Sequence, residues 1–119
     1  MSLFYLSFCS PAGWLGAAFV EATGVVAATK RAGDEGIAPS GNEVKTLAFQ
    51  YSGLDDVPPV PDNMRNRRLG QEELVALWPD AADWLIEAER NLGIGDNAAA
   101  ARAATAARRA LTFKLSEDV

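Results

Sequence analysis

Chemistry needs side chains that trade protons, attack an electrophile or hold a metal, and this 119-residue chain offers few of them. It has no histidine, which removes the commonest general base, the commonest metal ligand and the usual partner of a Ser or Cys nucleophile. The single cysteine, Cys9, can close no intramolecular disulfide and has no metal-ligand spacing around it; Ser7 and Ser10 beside it have no base to activate them. Glu72, Glu73, Asp80, Asp83, Glu87 and Glu89 form a series of carboxylates, and a metal site would need several to converge. Their places near predicted helix starts are accounted for by capping and by the helix dipole. The expectation is a binding protein without catalytic residues, metal or cofactor.

Three stretches carry binding chemistry, each with a plainer reading beside it. Gly36 to Glu43, with Pro39, Ser40, Gly41 and Asn42 at its centre, is either a backbone nest for an anion or a tight helix-to-strand turn. It matches neither the P-loop nor the dinucleotide fingerprint. Arg65, Arg67 and Arg68 can grip a phosphate or carboxylate with their planar forks, or be neutralised locally by Asp55, Asp56, Asp62, Glu72 and Glu73. Arg102 and Arg109, seven residues apart with Thr105 between them, share one helical face. That face suits an acidic partner, or pairs with Glu87 and Glu89 of the preceding helix. Trp14, Trp78 and Trp84 read as core or subunit-contact residues.

The elements that must position these residues follow from periodicity. Phe4, Leu6 and Phe8 alternate with Tyr5 and Ser7, predicting a strand with one buried face. Ser10 to Gly13 reads as a turn into a second strand, Trp14 to Glu21, in an antiparallel hairpin. Thr23 is placed to cap a helix from Gly24 to Glu35, with Val25, Ala28, Thr29 and Ala32 on one face and Gly36 as its stop. Glu43 to Gln50 predicts a third strand, which the helix crossover can set parallel to the second. Residues 52–70, with Pro58, Pro59, Pro61 and the three arginines, read as a solvated connector or irregular arm. Beyond it come a short helix from Gln71 to Trp78, a second capped by Asp80 with Ala81, Trp84, Leu85, Ala88 and Leu92 as its apolar stripe, and a third from Asn97 to about Phe113, capped by Asp96. The last two, joined by Gly93-Ile94-Gly95, should pack antiparallel.

The expected fold is α+β: an N-terminal β-β-α-β layer (1–51), an irregular arm (52–70) and a C-terminal helical hairpin in the extension 71–119, together one domain. A formal charge of -5 argues against nucleic acid as a partner. No apolar run reaches membrane-helix length, and no basic residue precedes Glu21 as a signal peptide would require, so a cytoplasmic location is expected. Apolar stripes that need covering favour a homodimer.

Phe4-Tyr5-Leu6-Ser7-Phe8, Trp14-Leu15-Gly16-Ala17, Gly36 to Val44 and Asn66-Arg67-Arg68-Leu69 together resemble a group of small uncharacterised bacterial proteins associated with phages and mobile elements. In that group an FLGA-like strand is followed by a helix and a G-x-N-P-G-G-E-V loop. The resemblance spans residues 3–77; Ser40 and Asn42 depart from the double-Gly loop, and 79–119 have no counterpart. It implies a binding protein of phage or mobile-element origin, in the host cytoplasm, occluding a host protein, for instance as a counter-defence inhibitor. The alternative expectation is a module in which Pro39 to Asn42 and the arginine arm hold a phosphorylated compound such as a signalling nucleotide.

Overall fold

The structure, a computed structural model, describes residues 1–52, 59–77 and 79–117, with the side chains of 80, 81, 108 and 110–117 excepted. Four strands, β1 (Ser2–Ser10), β2 (Gly13–Ala22), β3 (Lys45–Gln50) and β4 (Arg68–Leu69), form one antiparallel sheet in the order β3-β1-β2-β4. Helix α1 (Val25–Asp34) lies between β2 and β3 in sequence; α2 (Gln71–Leu77), α3 (Pro79–Gly93) and α4 (Asn97–Glu117) follow β4. The α+β class and the division into N-terminal strands and C-terminal helices agree with the sequence reading. β3 points the same way as β2, but β1 lies between them.

Both faces of β1 are buried, where alternation predicted one. Phe4, Leu6 and Phe8 meet Ala18, Val20 and the α1 residues Ala28 and Ala32 on one side. Leu3 and Tyr5 meet Ala17, Phe19, Phe49 and the α3 residues Ala82, Leu85 and Ile86 on the other. The reason is layering: α1 covers one face and the C-terminal helices cover the other, so polar members of the alternation (Tyr5, Ser7) are buried as well. Tyr5 anchors an aromatic chain, with ring centroids 5.5 Å from Phe19 and 5.0 Å from Phe49; Phe19 lies 5.2 Å edge-on to Tyr51. Such pairs each add about 0.5–1.5 kcal/mol beyond area burial.

The stretch read as a connector contributes structure. Val60 and Leu69 are core residues, and β4 adds a fourth strand to β2 through Ala17 and Ala18. Asn66 holds the approach: in the left-handed region at φ 57, its N–H donates to the Phe19 carbonyl (2.7 Å) and its Oδ1 accepts from the Glu21 N–H (3.0 Å). The prolines that suggested a solvated arm precede this two-residue edge strand in sequence, and of the three arginines only Arg68 belongs to it. Residues 53–58, including Asp55, Asp56 and Pro58, lie outside the described residues, as does Trp78.

Helix boundaries shift for local reasons. Thr23 makes no cap; Gly24 occupies the cap position of α1 without a side-chain bond. Gly36 at φ 70 ends that helix as expected. α3 begins at Pro79, one residue ahead of the expected Asp80 cap, because Pro is preorganised for the first helical position. Asp96 caps α4 through Oδ1, which accepts the Ala99 N–H at 3.0 Å. α3 and α4 pack along Ala88, Ala103 and Ala104, and α3 lies on β1, β2 and β3. The approach of α3 is close at its C-terminus: a Cβ on Gly93 would collide with the Ser10 carbonyl.

Candidate functional site

The nine residues singled out for binding fall in three places. Pro39 to Asn42 lie in the α1-to-β3 connection, pinned by buried Ile37 and by the Ala38 N–H donating to the Ala32 carbonyl at 2.9 Å. That connection feeds β3 at one edge of the sheet, while Arg65, Arg67 and Arg68 belong to the approach to β4 at the other edge. Two strands separate these edges, about 14 Å at the usual strand spacing. The loop and the arginine arm are therefore not brought to one site.

Two arginines of the arm are engaged locally. Arg65 Nε donates to the Val60 carbonyl at 2.9 Å and lies 3.9 Å from Asp62. Arg67 donates to the Asn63 carbonyl and pairs with Glu73. That hydrogen bond from Arg67, joined by the Gly70 N–H, holds the Glu73 carboxyl below the usual carboxylate range. Glu73 thereby closes the first turn of α2 in the manner of a capping box. Arg68 lays its aliphatic stem over Gly16, whose φ of 136 and crowded α-carbon admit only glycine there.

Arg102 and Arg109 are placed differently. With Thr105 they follow one face of α4, and with Trp84 of α3, Ala101 and Ala106 they line a solvent-open groove of about 610 Å³. Seven residues at 1.5 Å rise set the two guanidinium stems about 10 Å apart. The expected local pairing with Glu87 and Glu89 does not form. Glu87 lines a separate groove with Arg90 and Asn91, Glu89 is buried, and among the described residues neither Arg102 nor Arg109 has an ion-pair partner. Trp84, read as core or contact, is 45% exposed and walls this groove. Among the described residues, no lining residue is acidic.

The second notable place was missed by sequence reasoning. Glu89 is fully buried, and neither carboxyl oxygen reaches a hydrogen bond of good geometry among the described residues. It faces Tyr5 and Ser7 on β1, whose hydroxyls bond each other at 2.7 Å, while the Trp14 indole N–H donates to Ser7 Oγ at 3.2 Å. Burial pushes the Glu89 carboxyl up to about 8, the Ser7 and Tyr5 hydroxyls offsetting part of the cost. Burial, and then the Glu89 charge, raise the Tyr5 hydroxyl and push the Cys9 thiol up to about 11. Trp14 joins this cluster because β2 carries a bulge: Phe8 pairs with Gly16 but Cys9 with Trp14, so Leu15 is the extra residue and the side-chain alternation flips. A helical wheel locates Glu89, four residues after Leu85 and three after Ile86, inside the apolar stripe of α3.

The two places have opposite characters. The cluster holds the groups best able to trade protons and is sealed from solvent; the groove is open and offers cations and an aromatic face. No described helix is long and apolar enough to cross a membrane, and the described residues contain no cluster of metal-ligating type. Protein-family models, curated proteins and solved structures yield no match to this chain.

Proposed function

We propose that this chain is a non-catalytic binding protein of phage or mobile-element origin that occludes a host protein, seating an acidic segment of it in the Trp84–Arg102–Arg109 groove. The observation that carries the reading is the groove itself. On a protein of net charge -5, it gathers two arginines and an exposed indole, and among the described residues the arginines have no ion-pair partner and the lining has no acidic member. Arginine forks bind carboxylates bidentately, and exposed Trp and Arg are the residue types that dominate binding hot spots. The binding reading is further supported by the burial of Tyr5, Ser7, Cys9 and Glu89, where a substrate has no route to them. The phage setting and the host partner rest on the resemblance of residues 3–77.

The test uses the full chain and a synthetic helical peptide with two glutamates seven residues apart and leucines between them, followed by tryptophan emission. Saturable binding that weakens with salt, and is lost in Arg102→Glu with Arg109→Glu and in Trp84→Ala, is the expected outcome. Equal binding by wild type and the charge-reversed variant would refute the assignment of the groove.

A further inference from the structure

Glu89 is the only fully buried charged-type residue among the described ones, and its surroundings define what its proton does. From β1 it faces Tyr5, Ser7 and Cys9; from β2, the Trp14 indole, which does not titrate. β3 presents Phe49 and Leu47 to the helical layer, with Lys45 beside Cys9. α2 contributes Leu74, and α4 contributes the small residues Ala103, Ala104 and Ala107, while its Arg102 and Arg109 point into the outer groove. No cation lies within ion-pair distance of Glu89 among the described residues. A carboxylate in this place has no counter-charge among the described residues and no exposure to bulk solvent, and lifting α3 from β1 would give it that exposure.

We propose that Glu89 is a proton-operated latch: protonated, it seats α3, and α4 with it, on the sheet; ionised, it drives that layer open. The proton leaves to bulk water as the seal breaks. Two features make the opening local. α1 occupies the other face of the sheet with a separate core, so it stays in place when α3 moves. α3 and α4 pack on each other along Ala88, Ala103 and Ala104, so the two helices move as a unit and carry the Trp84–Arg102–Arg109 groove with them. The direction follows from linkage. In the opened form Glu89 ionises at its ordinary value of 4.5, whereas in the closed form it holds its proton to about 8. Opening therefore becomes about tenfold easier for each pH unit between those values and levels off above them.

Cys9 provides the readout, because it is the sole cysteine, is fully buried beneath α3, and its thiol becomes reactive only when the layer opens. The rate of Cys9 labelling by a thiol reagent is compared between wild type and Glu89→Gln from pH 5 to 9; taking the ratio cancels the ionisation of the thiol itself. The latch predicts a ratio that climbs by about tenfold per unit to a plateau near pH 8. It also predicts that the opening constant from labelling exceeds, by about tenfold or more, the unfolding constant from a denaturant melt at the same pH. A ratio flat with pH would overturn the proposal. So would an opening constant equal to global unfolding throughout, which would make Glu89 a determinant of overall stability alone.

Discussion

Replacing Glu89 with Gln removes a titration while keeping the shape of the side chain, so the pH dependence of stability isolates the cost of the buried carboxyl. Its value is raised from 4.5 in the unfolded chain to about 8 in the fold. A raised acid means that the folded protein binds more protons than the unfolded one between those limits, and stability falls as pH rises through them. The contribution is favourable and complete below pH 4.5, is lost progressively, and is fully lost above about 8. At about 1.36 kcal/mol for each pH unit, the loss accumulates to about 5 kcal/mol across the interval and to about 3 kcal/mol by pH 7. Domains of this size are stable by about 5–15 kcal/mol, so the effect is a large fraction of the total. The assay is a series of urea melts at half-unit pH steps from 4.5 to 9 on both proteins. The expected result is a falling wild-type curve that flattens near pH 8 and a Glu89→Gln curve that lacks this fall. The difference between the two curves is the quantity to read, because the exposed carboxylates common to both proteins cancel in it. Two curves of equal slope would refute the reasoning, since they would mean that Glu89 reaches water or a counter-charge in the folded protein.

Other outcomes follow from individual residues. Asn66→Ala loses the hydrogen bond to the Glu21 N–H and places a side chain of poor left-handed propensity at φ 57, for a loss of about 2 kcal/mol. Asn66→Gly loses the same side-chain hydrogen bonds, to the Glu21 N–H and carboxyl, but not the backbone preference, for about 1 kcal/mol, so urea melts should rank Asn above Gly above Ala. Asp96→Ala removes the α4 cap and should cost about 1 kcal/mol, read as a lowered melting temperature by circular dichroism. Gly16→Ala forces a Cβ to 2.9 Å from Arg68 Cγ and 3.0 Å from the Leu69 carbonyl. Hydrogen exchange should then show loss of protection at Leu69 ahead of β1.

Much of the fold was legible from residue patterns because the information is local. The turn at Ser10 to Gly13, the stop at Gly36, the Asp96 cap and the break at Gly93-Ile94-Gly95 each depend on dihedrals or bonds within a few residues. The α+β class followed from the order of those elements. Arg102 and Arg109 were legible as one face by their spacing, since seven residues make nearly two turns whatever the helix packs against.

What the chain could not reveal locally was which faces would be covered. Alternation in β1 marks two faces, but only the packing of α1 on one and α3 on the other makes both interior. That packing turns Tyr5, Ser7 and Glu89 from ordinary polar residues into a sealed cluster. The bulge at Leu15 reverses the side-chain alternation of β2 and brings Trp14 to Ser7, and that reversal depends on pairing with β1. β4 is too short to announce itself and exists because Asn66 and the edge of β2 supply its hydrogen bonds. Glu87 and Glu89 are two residues apart and so point to different sides of α3. Where α4 lay decided that neither would neutralise Arg102 and Arg109, and so left a basic, aromatic groove on an acidic protein. Residue types and spacing thus determined the elements and their caps, which are set by short-range bonds. Tertiary structure alone decided burial and charge pairing, because both depend on which surfaces meet across the whole chain.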